Sequence, residues 1–232
     1  MKTIGLIGGM SFESTTTYYN AINEGVNKAL GGLHSARIWL YSVDFAPIER
    51  CQRADDWART AEILGEAAEK LEACGADAIF ICTNTMHKVH PEVQARVSVP
   101  LVHIATATAE AVKDAGVRKV GLLGTRYTLT DTFYVEPLRE AGLEVLIPEA
   151  EAVAEINRII FEELCVGVVK DSSRRYMAEV MADFERRGAQ GVIFGCTEIG
   201  LLAGGTDTSL KVFDTTLIHA QKAVEMALED EV

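Results

Sequence analysis

Two phrases of this chain occur twice, in the same order. IGLIGG (4–9) is echoed by VGLLGT (120–125), and ADAIFICTNT (76–85) by AQGVIFGCTE (189–198). From Gly8 to Gly124 the displacement is 116 positions (124 − 8), and from Cys82 to Cys196 it is 114 (196 − 82). A repeat of near-constant offset restricts the chain to two similar lobes, each ending a strand on a Cys-Thr pair. The lobes read as residues 1–102 plus 214–232, and 103–213.

Within each lobe, short apolar runs alternate with longer amphipathic stretches. Strands are predicted at 3–7, 37–43, 78–82, 101–104, 119–123, 144–147, 192–194 and 211–213. Helices are predicted at 14–30, 55–73, 129–140, 149–164 and 172–187, with a last helix closing the chain. Ser11 or Ser14 can cap the first helix and Gly31-Gly32 stop it. Asp44-Phe45 reads as a turn. Strand–helix alternation predicts an α/β fold with largely parallel sheets covered on both faces. With 232 residues, 48% of them hydrophobic, each lobe can bury a core.

Ligands of open parallel sheets bind beyond the carboxyl ends of the strands. Both Cys-Thr pairs fall at such ends, so a cleft between the lobes is expected to carry Cys82 and Cys196 on opposite walls. Opposed thiols suit the removal of a proton from one face of a carbon and its return from the other. A thiol ionises near ~8.5 in water and lower beside N–H donors. Each pair is expected to open a loop leading into a helix, whose N–H groups would stabilise a thiolate or hold a carboxylate. Buried free cysteine is commonly core packing, and that reading is adopted for Cys51 and Cys74. Packing gives no reason for two matched cysteines each to be followed by Thr.

Other readings of these residues fail on their pattern. Gly8-Gly9-Met10-Ser11 lacks both the GKT or GKS ending and the GxGxxG spacing of nucleotide loops. It reads as a tight turn that brings backbone and the Ser11 hydroxyl to a small ligand, with Thr125 as its counterpart. His87 and His90 follow the CTNT loop and read as surface or supporting residues rather than as the base of a Cys/His hydrolase. No histidine pair has a third metal ligand nearby, and no lysine stands with a phosphate cup for pyridoxal phosphate, so neither metal nor cofactor is expected. The pairs Asp55-Asp56 and Glu162-Glu163 read as solvated helix positions.

The net charge of −12 argues against nucleic acid or an anionic membrane as partner. No run approaches the ~18 apolar residues of a spanning helix, and the N-terminus does not read as a secretory signal. Five cysteines without CxxC or clustering fit reduced thiols and a cytoplasmic location.

Six segments carry a resemblance that runs over nearly the whole chain: IGLIGGMSFEST (4–15), CTNTMHK (82–88), LLGTRYT (122–128), IIFEEL (159–164), GVIFGCTEIG (191–200) and VFDTTLIHA (212–220). With these the chain resembles the aspartate/glutamate racemase family, in wording that of its broad-spectrum bacterial amino-acid racemase branch. The resemblance implies two pseudo-symmetric flavodoxin-like lobes, usually in a homodimer, with no cofactor and no metal. It implies Cys82 and Cys196 as the two bases, with Thr83 also discussed as a partner in this branch. It further implies that Met10, Thr83, Asn84, Thr85 and Thr197 contact the backbone part of an amino-acid substrate. Aspartate-specific members hold the side-chain carboxylate with an Arg and a Lys, where this chain aligns Gln52 and Cys165. A buried carboxylate without cations is costly. The expected substrates are therefore wider than aspartate, with homoserine a candidate, unless Arg50 or Arg53 supplies the charge. Alternatives are a hydantoin racemase, maleate isomerase or decarboxylase on the same scaffold, a small-molecule binding protein, and a redox protein that pairs the cysteines.

Overall fold

The computed structural model describes residues 1–202, 208–229 and 231. The sequence-defined first lobe also includes residues 230 and 232, which lie outside the described residues. The chain divides into two compact units, Met1–Ile104 with His219–Val232, and Ala105–Ile218. These boundaries fall a few residues beyond 102/103 and 213/214. The last helix opens in the second unit, with Thr215 Oγ1 donating to the Phe194 carbonyl at 2.8 Å.

The first unit runs β1 (Thr3–Gly8), α1 (Phe12–Leu30), β2 (Arg37–Ser42), α2 (Phe45–Arg53), α3 (Trp57–Ala73), β3 (Ala78–Ile81), a 3-10 turn (Thr85–Val89), α4 (His90–Gln94) and β4 (Leu101–Val102). Its sheet is parallel, in the order β2-β1-β3-β4. β1 and β3 are buried along their whole length, as central strands of a sheet covered on both faces must be. Ile7, Ile79 and Ile81 pack toward α3 with Leu64, Ala68 and Leu71. Ile4, Leu6, Phe80 and Cys82 pack on the opposite face with Tyr18, Ile22 and Val26 of α1. Ser11 caps α1 by accepting from the Ser14 N–H at 3.3 Å. Gly31, at φ 74°, ends that helix in a conformation that favours glycine.

The second unit repeats this plan. α5 (Ile104–Asp114) bridges the boundary, followed by β5 (Lys119–Gly124), α6 (Arg126–Thr130), α7 (Thr132–Glu140), β6 (Glu144–Leu146), α8 (Ala150–Glu162), a 3-10 turn (Leu164–Val166), α9 (Asp171–Arg186), β7 (Gly191–Gly195), α10 (Ile199–Leu202), β8 (Lys211–Asp214) and α11 (Thr215–Leu228). Its parallel sheet runs β6-β5-β7-β8, the same order shifted by four strands. The fold class is the one predicted: α/β, two similar lobes, parallel sheets.

The differences are local. Residues 45–53 form α2, not a turn, because Asp44 caps it by accepting from the Ala46 N–H at 3.2 Å. Its buried stripe is only Ile48 and Gln52, and a glutamine on the inner face hides the helical period. The strand expected at 101–104 ends at Val102, where pairing with Phe80 stops. The helix expected at 129–140 is two helices, broken where Asp131 is extended at φ −87°, ψ 152°.

Candidate active site

In a sheet of order 2-1-3-4 the chain leaves in opposite directions from its two central strands, and the space beyond their carboxyl ends is the switch point where ligands bind. Cys82 stands there in the first unit. It follows β3 beside the end of β1, its N–H donating to the Ile7 carbonyl at 2.9 Å. Cys196 holds the matching place in the second. It follows β7, whose Gly195 pairs with Gly124 at the end of β5.

Around Cys82 the backbone is held firmly. Its carbonyl accepts from Ser14 Oγ at 3.2 Å, the Thr83 N–H donates to Ile81 at 2.9 Å, and the Thr83 carbonyl meets His87 Nδ1 at 2.9 Å. Asn84 and Thr85 are buried at the start of the 3-10 turn. Met10 and Met86 share one core cluster with Ile48 of α2, the helix that also buries Gln52. Met10, Gln52, Asn84 and Thr85 thus all belong to the buried interior of this unit.

The second unit gathers the rest. Thr125 caps α6, its Oγ1 3.2 Å from Thr128 Oγ1, just past the end of β5. Cys196 Sγ donates to Glu198 Oε2 at 3.0 Å, and Thr197 Oγ1 donates to the same oxygen at 2.6 Å. Leu164, on the 3-10 turn that carries Cys165, packs in the cluster that Cys196 borders. Glu198 is the residue that sequence reading missed. Its signal was the departure of CTE from CTN in the repeat.

The thiols themselves correct one expectation. N–H donors were expected to lower them, but Cys82 is fully buried, and burial pushes its thiol well up. Its Sγ lies on the α1 face of the sheet, 4.0 Å from the Phe80 carbonyl. Burial likewise raises Cys196, helped by the charge and hydrogen bond of Glu198 and by Cys165, with only the Glu198 backbone N–H opposing. Both cysteines rest as thiols.

Further corrections concern supporting residues. His87 is not at the surface: it is completely buried, and burial together with His103, His219 and His90 holds it well below the usual imidazole range. Its Nδ1 is spent on the Thr83 carbonyl, so it is not the base of a Cys/His pair. Cys74 is exposed at the end of α3 and Cys51 half-buried, so neither is a core residue. Asp55 and Asp56 are exposed, as read, but precede the helix, Asp56 capping α3 by accepting from the Arg59 N–H at 3.0 Å. Glu163 is 2% exposed rather than solvated. It accepts from Ser173 Oγ at 2.6 Å and pairs with Arg158 at 2.9 Å and Lys170 at 3.2 Å. The Ser173 hydroxyl first, then Arg158 and Lys170, hold it down to about 2. Arg53 is exposed and paired with Glu49. Among the described residues no group of three or more His, Cys, Asp or Glu is arranged to hold a metal ion, and no helix is long and apolar enough to cross a membrane.

Known proteins resemble this chain over nearly its whole length. A Yersinia pestis protein provisionally described as an Asp/Glu racemase is 51% identical, with a TM-score of 0.94, over 98% of this chain and all of its own. An aspartate racemase homologue from Pyrococcus horikoshii OT3 is 41% identical, with a TM-score of 0.85, over 98% of this chain and 99% of its own. The broad specificity amino-acid racemase RacX of Bacillus subtilis (strain 168) is 23% identical over 97% of this chain and 98% of its own. The family model described as Asp/Glu/Hydantoin racemase matches residues 7–223. This chain therefore belongs to the Asp/Glu/Hydantoin racemase family.

Proposed function

We propose that the protein is a cofactor-independent amino-acid racemase in which Cys82 and Cys196 act as opposed acid and base at Cα. The observation that carries this reading is the equivalence of the two cysteines: each follows the third strand of its lobe, beside the end of the first. One thiolate takes the Cα proton, leaving a planar carbanion, and the other thiol returns a proton from the opposite face. The exchange is symmetric, so the roles reverse for the other enantiomer. The mechanism requires the lobes to present their thiols to opposite faces of one substrate carbon. Met10, Thr83, Asn84, Thr85, Thr125 and Thr197 are the proposed holders of the amino and carboxylate groups.

The proposed substrates extend beyond aspartate and glutamate to amino acids with neutral polar side chains, such as homoserine. Gln52 and Cys165 carry no charge, and the cations nearest them in sequence are engaged: Arg53 with Glu49, Lys170 with Glu163. Arg50 of α2 is exposed and is the remaining candidate to partner an anionic side chain, whose charge would otherwise go uncompensated. The proposed working form is a cytoplasmic homodimer. β2, at the edge of its sheet, leaves Trp39 49% and Leu40 44% exposed, a surface that invites pairing. Light scattering should then give twice the 25.2 kDa chain mass; a monomer in solution would remove that part of the reading. The activity is tested by incubating single enantiomers of aspartate, glutamate and homoserine with the protein and no cofactor, followed by chiral analysis. Turnover of aspartate alone would refute the wider specificity.

A further inference from the structure

The two lobes repeat their backbone but not the chemistry beside their thiols. In the first, Cys-Thr is followed by Asn84; in the second, by Glu198. Cys196 Sγ and Thr197 Oγ1 both donate to Glu198 Oε2, at 3.0 and 2.6 Å. Cys82 Sγ has the Phe80 carbonyl at 4.0 Å and otherwise sits in an apolar layer. Oε2 uses its two lone pairs to accept both hydrogen bonds, with the Cys196 thiol as one of the donors.

We propose that Glu198 is the proton partner of Cys196, holding it as the thiol in the resting enzyme and receiving its proton when Cys196 must act as base. This rests on the two-thiol reading above. In the exchange the S–H bond of Cys196 breaks and an O–H bond forms on Glu198, turning carboxylate and thiol into carboxylic acid and thiolate. This internal transfer moves the pair's single negative charge from oxygen to sulfur, so the thiolate forms without a second charge to desolvate. With its proton lodged on Glu198, Cys196 is the thiolate that takes the Cα proton, and the thiol so formed is the acid of the reverse reaction, Glu198 staying protonated through both. Cys82 has no such partner in its motif, so the two half-reactions are expected to differ in their response to pH.

Among the described residues, Glu198 and Cys165 act on this sulfur and Asp214 stands near α10. Glu198 adjoins the sulfur directly, and Cys165 acts on it from the 3-10 turn. Asp214 of β8 reaches α10, its Oδ2 3.2 Å from where a Cβ on Gly200 would stand, while its Oδ1 is held by the N–H groups of Thr216 and Leu217. Glu198 and Cys165 favour the protonated thiol, and of the two Glu198 makes the hydrogen bond to it that also offers a place for the proton. Glu198 is thus a positioning residue that works through Cys196.

The test is the pH dependence of iodoacetamide alkylation at Cys196, followed peptide by peptide by mass spectrometry. The full-length parent would be compared with Glu198→Gln, Glu198→Asp and Cys165→Ser, all first shown to be folded by circular dichroism. The alkylation midpoint of Glu198→Gln is expected to fall by about one pH unit or more, a roughly tenfold faster labelling below the midpoint. Glu198→Asp, which keeps the charge, should stay nearer the parent. An unmoved midpoint in Glu198→Gln, an equal fall in both Glu198 variants, or a fall confined to Cys165→Ser would overturn the proposal. Alkylation does not depend on turnover, so failure of the racemase reading would be seen separately, as absence of Cα exchange in the parent.

Discussion

At the scale of single residues, burial sets the chemistry. Cys82 is fully buried whereas Cys196 is partly exposed, so iodoacetamide is expected to modify Cys196 at least tenfold faster in the absence of substrate. Equal rates would mean that the Cys82 thiol spends much of its time outside the layer described above. Four of the five histidines, His87, His90, His103 and His219, form one cluster in the first lobe, with ring centroids 4.8 to 6.1 Å apart. Burial lowers all four, His103 to about 4 and His219 to about 3. A histidine lowered by folding stabilises the fold above its unfolded value, near ~6.5, and that stability is lost as the pH falls toward the folded value. The Glu163 carboxyl, held at about 2, adds a loss at lower pH, beginning below the ordinary glutamate value near ~4.3. Urea unfolding from pH 7 to 4 should therefore show a steady fall in stability, reduced when His103 is replaced by Phe. A flat profile would contradict the assigned neutral cluster. None of this was legible in the sequence, because residues 87, 90, 103 and 219 meet only through the fold. Glu163 likewise looked like any acidic residue at a helix end.

At the scale of elements, the sequence was most informative where an element is buried on both faces. The runs at 3–7, 78–82 and 119–123 read as strands, and β1, β3 and β5 are those strands to within a residue or so. Short helices were missed for definite reasons: α2 buries a glutamine, and α4 is only five residues long. Close packing between layers was also invisible. A Cβ on Gly121 of β5 would stand 2.1 Å from Phe184 Cδ2, so α9 lies on the sheet only because position 121 lacks a side chain. Gly121→Ala is expected to cost about 1–3 kcal/mol by overpacking. Thermal unfolding and near-ultraviolet circular dichroism would measure it, and an unchanged melting temperature would mean that α9 shifts freely. A second change at element scale concerns specificity. Gln52→Arg combined with Cys165→Lys restores the charges expected of aspartate-specific relatives. It should raise kcat/KM for aspartate over homoserine by about tenfold or more, equivalent to ~1.4 kcal/mol. No change in that ratio would separate these two positions from the substrate side chain.

At the scale of the whole molecule, the repeat read from two phrases reappears as two sheets of the same strand order, each with a Cys-Thr pair at its switch point. The position of the thiols was legible because it depends on local strand ends. The inequality of their surroundings showed in the sequence only as Glu198 standing where the first motif has Asn84; its hydrogen bond to Cys196 Sγ belongs to the fold. The central claim is that two thiols serve opposite faces of one carbon, and one measurement addresses it directly. Single enantiomers of homoserine and aspartate are incubated in heavy water with the parent, Cys82→Ala and Cys196→Ala, and both Cα deuterium and chiral composition are followed. The account expects inversion with solvent deuterium in the parent and no inversion in either variant, with any residual exchange retaining configuration. Inversion that survives the loss of either cysteine would contradict it.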